Sequence, residues 1–255
     1  MKKVMLFLLA AALFTLPLTV STSPEGVPKA ALATHHYTIK RTPSPINVDG
    51  KLDEPVWKKA EPIKLRVKNG QEPKQATTAW IVWNDQYIYV AWKCVDTHIW
   101  ATLKQRDEPL YNEEVVEVFI DPSGDKDNYL ELEVNPLGAL WDGYILNRGQ
   151  TITGILAWNS FEIKWAVFVE GTVNNPADKD TGWSVELALP LKDIYNALHN
   201  PPRDGDLWRL NLYRIDRPEG AGDPGEGSAW SPVSGRTFHD PDRFGEVIFS
   251  NQELK

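Results

Sequence analysis

Glu117 and Glu133 are the residues of this chain best placed to do chemistry. They fall on two alternating segments, VVEVFID from Val115 and LELEVN from Leu130, joined by an acidic turn from Asp121 to Asn128. If the segments pair as a hairpin, both carboxylates share one face. Two carboxyl groups flanking a scissile bond are the equipment of a glycosidase. No residue pattern here sets one carboxyl pKa apart from the other, as an acid–base pair requires. Carboxylates on a strand face also accept hydrogen bonds from a ligand, hold a metal, or simply meet water. The turn adds Asp121, Asp125 and Asp127, oxygen ligands of the kind Ca2+ gathers six to eight of. It departs from the EF-hand spacing, and a solvated turn explains it equally well. Tyr111 stands just before the first arm and sets an aromatic ring beside the polar face.

The other chemical signatures are absent. The chain has no GxSxG elbow, no HExxH pair, no phosphate loop and no paired CxxC. Its single cysteine, Cys94, sits in the apolar stretch YIYVAWKCV and reads as a small buried side chain.

The elements that must position Glu117 and Glu133 are strands. In the hairpin Val116, Val118 and Ile120 share one face with Leu130, Leu132 and Val134, which predicts a core side opposite the carboxylates. Thr78 to Trp83 and Tyr87 to Val95 flank a tight connection, Asn84 to Gln86, and the second is apolar on both faces. Further strands are expected at Tyr37 to Lys40, Ala139 to Leu146, Phe161 to Val169, Trp183 to Leu189, Trp208 to Ile215 and Glu246 to Phe249. Asp53 is placed to cap a short turn at Pro55, with Trp57 packing it down. Leu191 to Leu198 is the one stretch read as a short helix. Asn147 to Ser160 reads as a connection, and DRPEGAGDPGEGSA, residues 216–229, as a long mobile loop. Roughly ten strands with little helix predict an all-β antiparallel sandwich, jelly-roll or immunoglobulin-like.

Composition narrows the function. Lys2 and Lys3 precede an apolar run, Val4 to Leu16, and then small residues; this describes a secretory signal over 1–22. An uncleaved anchor is the competing reading. The segment lacks the cysteine of a lipobox, so the expected location is secreted or periplasmic. Residues 23–36 read as a disordered leader, and 37–250 as a single domain. Losing Lys2 and Lys3 takes the formal net charge from −8 to −10. An acidic chain argues against nucleic acid, which needs Lys and Arg against phosphate, and against anionic lipid; no stable membrane insertion is expected. One cysteine permits no internal disulfide. Of the eleven Trp, several alternate within strands as core residues, and the count as a whole also suits a surface that offers flat apolar faces to sugars.

Four stretches together carry a family resemblance: INVDGKLDEPVW from Ile46, VVEVFID from Val115, Trp230-Ser231-Pro232, and Phe238 to Gly245. In order and spacing they resemble family 9 carbohydrate-binding modules, most closely a stand-alone, exported branch, over nearly all of residues 37–250. The resemblance implies a DOMON-like β-sandwich, saccharide binding without catalysis, and structural calcium. It implies two aromatic rings clamping a sugar, here Tyr111 and Phe238, where the family usually has Trp. Glu117 matches the glutamate that hydrogen-bonds sugar hydroxyls. Glu133 stands where the family has arginine, and Tyr213 where it has glutamine, so the polar contacts that set specificity differ. The partners expected are an oligo- or polysaccharide and secreted glycoside hydrolases.

Two alternatives stand beside this reading. One is a hydrolytic domain using Glu117 and Glu133. The other is a haem protein, as in other DOMON-like sandwiches. Met1 and Met5 lie in the signal segment, so haem would need two of His35, His36, His98, His199 and His239.

Overall fold

In the computed structural model, which describes residues 35–148, 151–220, 222–235 and 237–255, fourteen strands form one continuous hydrogen-bonded sheet. They are β1 (His36–Arg41), β2 (Ile63–Lys64), β3 (Arg66–Val67), β4 (Thr77–Trp83), β5 (Tyr87–Val95), β6 (Val115–Asp121) and β7 (Asn128–Val134). They continue with β8 (Leu140–Arg148), β9 (Thr151–Ala157), β10 (Lys164–Glu170), β11 (Gly182–Pro190), β12 (Leu207–Asp216), β13 (Glu226–Ala229) and β14 (Gly245–Glu253). The signal segment, and the leader up to residue 34, lie outside the described residues; His36 of the expected leader begins β1.

The strand order is β10-β11-β5-β4-β1-β14-β12-β6-β7-β8-β9, with β2 on β4 and β13 joining β12 to β3. The sheet doubles over on itself. Trp92 and Val185 from one half and Val118, Leu132 and Leu212 from the other meet in one buried cluster. Each such side chain contributes about 1.5–3 kcal/mol by leaving water. The result is a β-sandwich, as the alternation predicts, with one difference in strand direction. β1 runs parallel to both β4 and β14, whereas the other ladders are antiparallel.

The four strands beyond the expected ten are β2, β3, β9 and β13. β2 and β3 are two residues each, too short to show a period. β9 lies in the stretch read as a connection, and nearly all of it is exposed. An edge strand wet on both faces leaves no alternation to read. β13 lies in the stretch read as a mobile loop. Ser228 pairs with Arg214 on one side and Val67 on the other, so non-local ladders hold what local composition would release.

Helix is scarcer than expected. Leu191 to Leu198 makes a single 3-10 turn, Leu191–Asp193, and Asn196 at φ 66° stops any continuation. The α-helix is α1 (Pro55–Lys59), with Glu54, not Asp53, at its N-cap position and no side-chain cap. Glu54 Oε1 instead accepts the Asn47 N–H at 3.1 Å. Trp57 does pack the turn down, because Glu186 of β11 gathers the segment. Its carboxylate accepts the Asp49 N–H (2.9 Å), the Gly50 N–H (2.8 Å) and the Trp57 indole N–H (2.7 Å). Gly50 must be glycine: it has φ +85°, and a Cβ there would lie 2.7 Å from the Phe168 nitrogen.

Candidate functional site

The outer face of β12-β6-β7-β8 forms two cross-strand rows. The first runs Tyr213, Glu117, Glu133, Trp141; the second runs Asn211, Phe119, Glu131, Gly143. Glu117 and Glu133 are therefore direct partners across the ladder, as the hairpin predicts. The same face also holds Glu131, two residues before Glu133 on β7 and in the neighbouring row, legible from the alternation as one more carboxylate. Gly143 makes room beside it, since a Cβ there would strike the Trp141 ring at 2.5 Å.

This face is not a wet surface. Every residue of β6 is buried on both sides. A cavity of about 470 Å³ opens over the carboxylates. Tyr111, Trp141, Ile152, Ile155, Arg217 and Phe238 line it above Glu117, Phe119, Glu131 and Glu133. Tyr111 comes from a 3-10 turn, Leu110–Asn112, that leads into β6. The segment after Trp230 folds back to bring Phe238 and His239 over the sheet. Ile152 and Ile155 belong to the edge strand β9, and Arg217 to the stretch read as a loop. Neither had a periodic signal to mark it.

Aromatic packing fixes one wall. Phe238 stacks on Tyr213 with ring centroids 4.2 Å apart and planes at 12°. The Tyr213 hydroxyl donates to the Phe238 carbonyl at 3.0 Å and accepts from Asn211 Nδ2 at 2.9 Å. Tyr213, which the resemblance places among the ligand contacts, is fully buried behind Phe238 and supports that ring. Phe119 stacks on Tyr129, and the Tyr129 hydroxyl lies 2.8 Å from His239 Nδ1.

Electrostatically the floor is unusual. One oxygen each from Glu117, Glu131 and Glu133 lie within 4.8 Å of one another, and all three residues are buried. Glu117 Oε1, Glu131 Oε2 and both oxygens of Glu133 have no hydrogen-bond partner. Burial, reinforced by the neighbouring carboxylates, holds Glu117 and Glu131 well above the ordinary carboxylate range. Burial pushes Glu133 up to about 7. His239 Nδ1 is 3.9 Å from Glu131 Oε2, but burial lowers the imidazole to about 4. It is neutral at pH 7 and supplies no counter-charge. The Arg217 guanidinium is engaged elsewhere, on the Glu113 and Asp223 carbonyls.

The acidic turn is built around its own backbone. The Asp121 carboxylate accepts from Ser123 Oγ (3.0 Å), the Gly124 N–H (2.7 Å) and the Lys126 N–H (2.9 Å). Asp125 Oδ1 accepts the Asp127 and Asn128 N–H groups at 2.8 and 3.0 Å. These oxygens close a turn, and Asp121, Asp125 and Asp127 do not converge on a common centre among the described residues.

A second buried carboxylate triad, Asp96, Glu114 and Asp216, does converge, and Arg214 sits inside it. Its Nη2 donates to Asp96 Oδ2 at 2.8 Å and Asp216 Oδ1 at 2.7 Å. The indole of Trp183 and the amide of Gln75 donate to the same carboxylates. Cys94 nearby is buried, and desolvation pushes its thiol up to about 12. The histidines considered for haem have separate partners: His98 meets the Pro218 carbonyl, His199 the Asp206 carboxylate, His239 the Tyr129 hydroxyl. No helix among the described residues is long and apolar enough to cross a membrane.

Comparisons with known proteins agree with this architecture. The fold superposes on a family 9 carbohydrate binding module from Caldicellulosiruptor kristjanssonii in complex with cellotriose with a TM-score of 0.59 at 15% identity, covering 85% of this chain and 94% of that one. A Bacteroides uniformis protein proposed to bind carbohydrate superposes with a TM-score of 0.66 at 19% identity, covering 86% of this chain and all of that one. In sequence, endo-1,4-beta-xylanase A of Thermoanaerobacterium saccharolyticum is 23% identical over 205 residues, 80% of this chain but 15% of the enzyme. Exoglucanase XynX of Acetivibrio thermocellus is 24% identical over 205 residues, 80% of this chain and 16% of that protein. The chain thus spans about a sixth of the curated relatives it matches. The family model described as "Carbohydrate family 9 binding domain-like" matches residues 48–252, four-fifths of the sequence, and the chain belongs to that family.

Proposed function

We propose that this chain is an exported, non-catalytic protein that binds a saccharide in the cavity over β6 and β7. The carrying observation is the cavity itself: about 470 Å³, with aromatic rings at Tyr111, Trp141 and Phe238 above a floor of carboxylates. Sugars present apolar CH faces to rings and hydroxyl rims to charged acceptors, which make the stronger hydrogen bonds. Tyr111 and Phe238 act as the jaws, and Glu117 takes the hydroxyls. Membership of a carbohydrate-binding family supports this, as do relatives of the same fold that hold cellotriose and glucose. A xylanase and an exoglucanase among the relatives favour plant-type polysaccharide as the source and secreted glycoside hydrolases as companions. The signal at residues 1–22 supports export.

Binding is favoured over hydrolysis by geometry. A glycosidase sets its carboxyl groups about 5–9.5 Å apart across the bond they cleave. Here the oxygens lie side by side within 4.8 Å on one floor.

Calorimetric titration with glucose, cellotriose and xylo-oligosaccharides tests the reading. Binding of at least one ligand is expected, weakened about tenfold or more by Phe238→Ala or Tyr111→Ala, a loss of about 1.4 kcal/mol. A folded protein that binds none of them, or whose two variants bind unchanged, overturns it. No reducing sugar should be released.

A further inference from the structure

We propose that Glu117, Glu131 and Glu133 form a divalent-cation site on the cavity floor, holding a hard ion such as Ca2+ whose open coordination positions meet the saccharide hydroxyls. The site itself stands on the geometry below; its part in saccharide capture rests on the function proposed above.

Three observations carry it. The first is fit. The three offered oxygens lie within 4.8 Å of one another, the span across an ion whose ligands sit at about 2.4 Å. Three carboxylates can supply up to six oxygens, and no sulfur joins the set, which selects a hard cation over a soft one. The second is that four carboxylate oxygens in this cluster are buried and without a hydrogen-bond partner. Buried carboxylates are ordinarily paired or bound to metal. Glu133 is 1% exposed and neither of its oxygens is satisfied, although it faces the cavity. The third is that the described residues place no cation on the cluster. Among the described residues no Lys or Arg pairs with any of the three, whereas the Asp96, Glu114 and Asp216 triad encloses Arg214. The three glutamates are fixed by paired positions of one ladder, β6 to β7, so the cluster is pre-formed on rigid strands. Its open side is the cavity where the hydroxyls arrive.

The test uses the full chain, stripped with EGTA and titrated with CaCl2, MgCl2 and MnCl2. One equivalent of Ca2+ should bind and raise the thermal midpoint. Glu131→Gln and Glu133→Gln should each lower Ca2+ affinity more than about tenfold, the size seen even for groups that only orient a ligand. Asp125→Asn, in the exposed turn, should leave the titration unchanged. Should the glutamine variants fail to fold, Tb3+ replaces Ca2+. Its emission should be sensitised by Trp141, the cross-strand partner of Glu133, and fall in Trp141→Phe. No binding of any of the three ions to the folded wild type overturns the site and leaves protons to neutralise the cluster. Binding that survives in both glutamine variants, or Tb3+ emission independent of Trp141, overturns it as well. Cellotriose is then titrated with and without EGTA. Weaker binding only after metal removal supports the shared role. Equal binding overturns that role and leaves the saccharide reading standing. No saccharide binding with Ca2+ present overturns the saccharide reading, while the metal titration still reports on the site.

Discussion

Asp96, Glu114 and Asp216 surround Arg214 on the inner face of the sandwich, whereas Glu117, Glu131 and Glu133 line a cavity on the outer face of the same strands. Arg214 and Tyr213 are consecutive on β12, so one strand serves both. Arg214 lies level with the core residue Val116, and Tyr213 level with Glu117. Inside, the arginine reaches over to the Val95 carbonyl and the Thr77 hydroxyl on the opposing half of the sandwich. That triad is closed, and its counter-charge is covalently part of the chain. The outer triad has the same number of carboxylates, similar burial and, among the described residues, no such partner. The fold thus spends an arginine where nothing will enter and leaves the charge open where something can.

The sharpest way to break this comparison is to remove a charge from each side. Arg214→Met leaves two buried carboxylates uncompensated and should lower stability by about 3–5 kcal/mol, read from the urea midpoint. Glu133→Gln removes a charge that has no cationic partner among the described residues and should change stability by no more than about 1 kcal/mol. Equal losses in the two variants would mean that the triads are alike.

A smaller effect is expected with pH. Burial first, then the Asp96 charge, raises the Glu114 carboxyl from 4.5 to about 10. The folded protein therefore keeps a proton that the unfolded chain releases. This contribution is complete below about pH 4.5 and is lost as pH climbs towards 10. Unfolding midpoints measured from pH 6 to 9.5 should fall in the wild type and fall less in Glu114→Gln. Parallel slopes would show that Glu114 carries no such proton.

The smallest change concerns the wall between the two faces. Tyr213→Phe loses the hydroxyl bonds to Phe238 and Asn211 and should destabilise by about 1 kcal/mol. Saccharide affinity should fall by less than about threefold, since the ring that backs Phe238 remains. A tenfold or greater loss would return Tyr213 to direct ligand contact.

Alternation made the core side of the β6–β7 hairpin legible, because a strand with one apolar face has only one register that buries it. The same alternation placed Glu117 opposite Glu133. It could not show that the outer face is also covered, because much of the cover comes from β9 and from Arg217, Phe238 and His239, far along the chain and in stretches without alternation. There β13 is held by two ladders at once, and Phe238 by Tyr213. Arg214 had no local signal either: Glu114 meets it only once β6 pairs with β12, and Asp96 only after the sheet doubles over. In the acidic turn the Asp121 and Asp125 carboxylates serve N–H groups two to five residues away, a local arrangement that composition alone does not specify.

The backing of Phe238 gives the cavity one hard jaw and one soft one. Phe238 is clamped flat against a buried ring and has little rotamer freedom to lose. Tyr111 is 52% exposed on a single 3-10 turn. A ligand that meets Phe238 finds a surface already in place and forfeits little entropy there. On the Tyr111 side the ring settles against whatever arrives. On the function proposed above, the two ends of a bound sugar would be read with different tolerance: shape enforced at Phe238, and variation, such as a substituent or a continuing chain, accommodated at Tyr111.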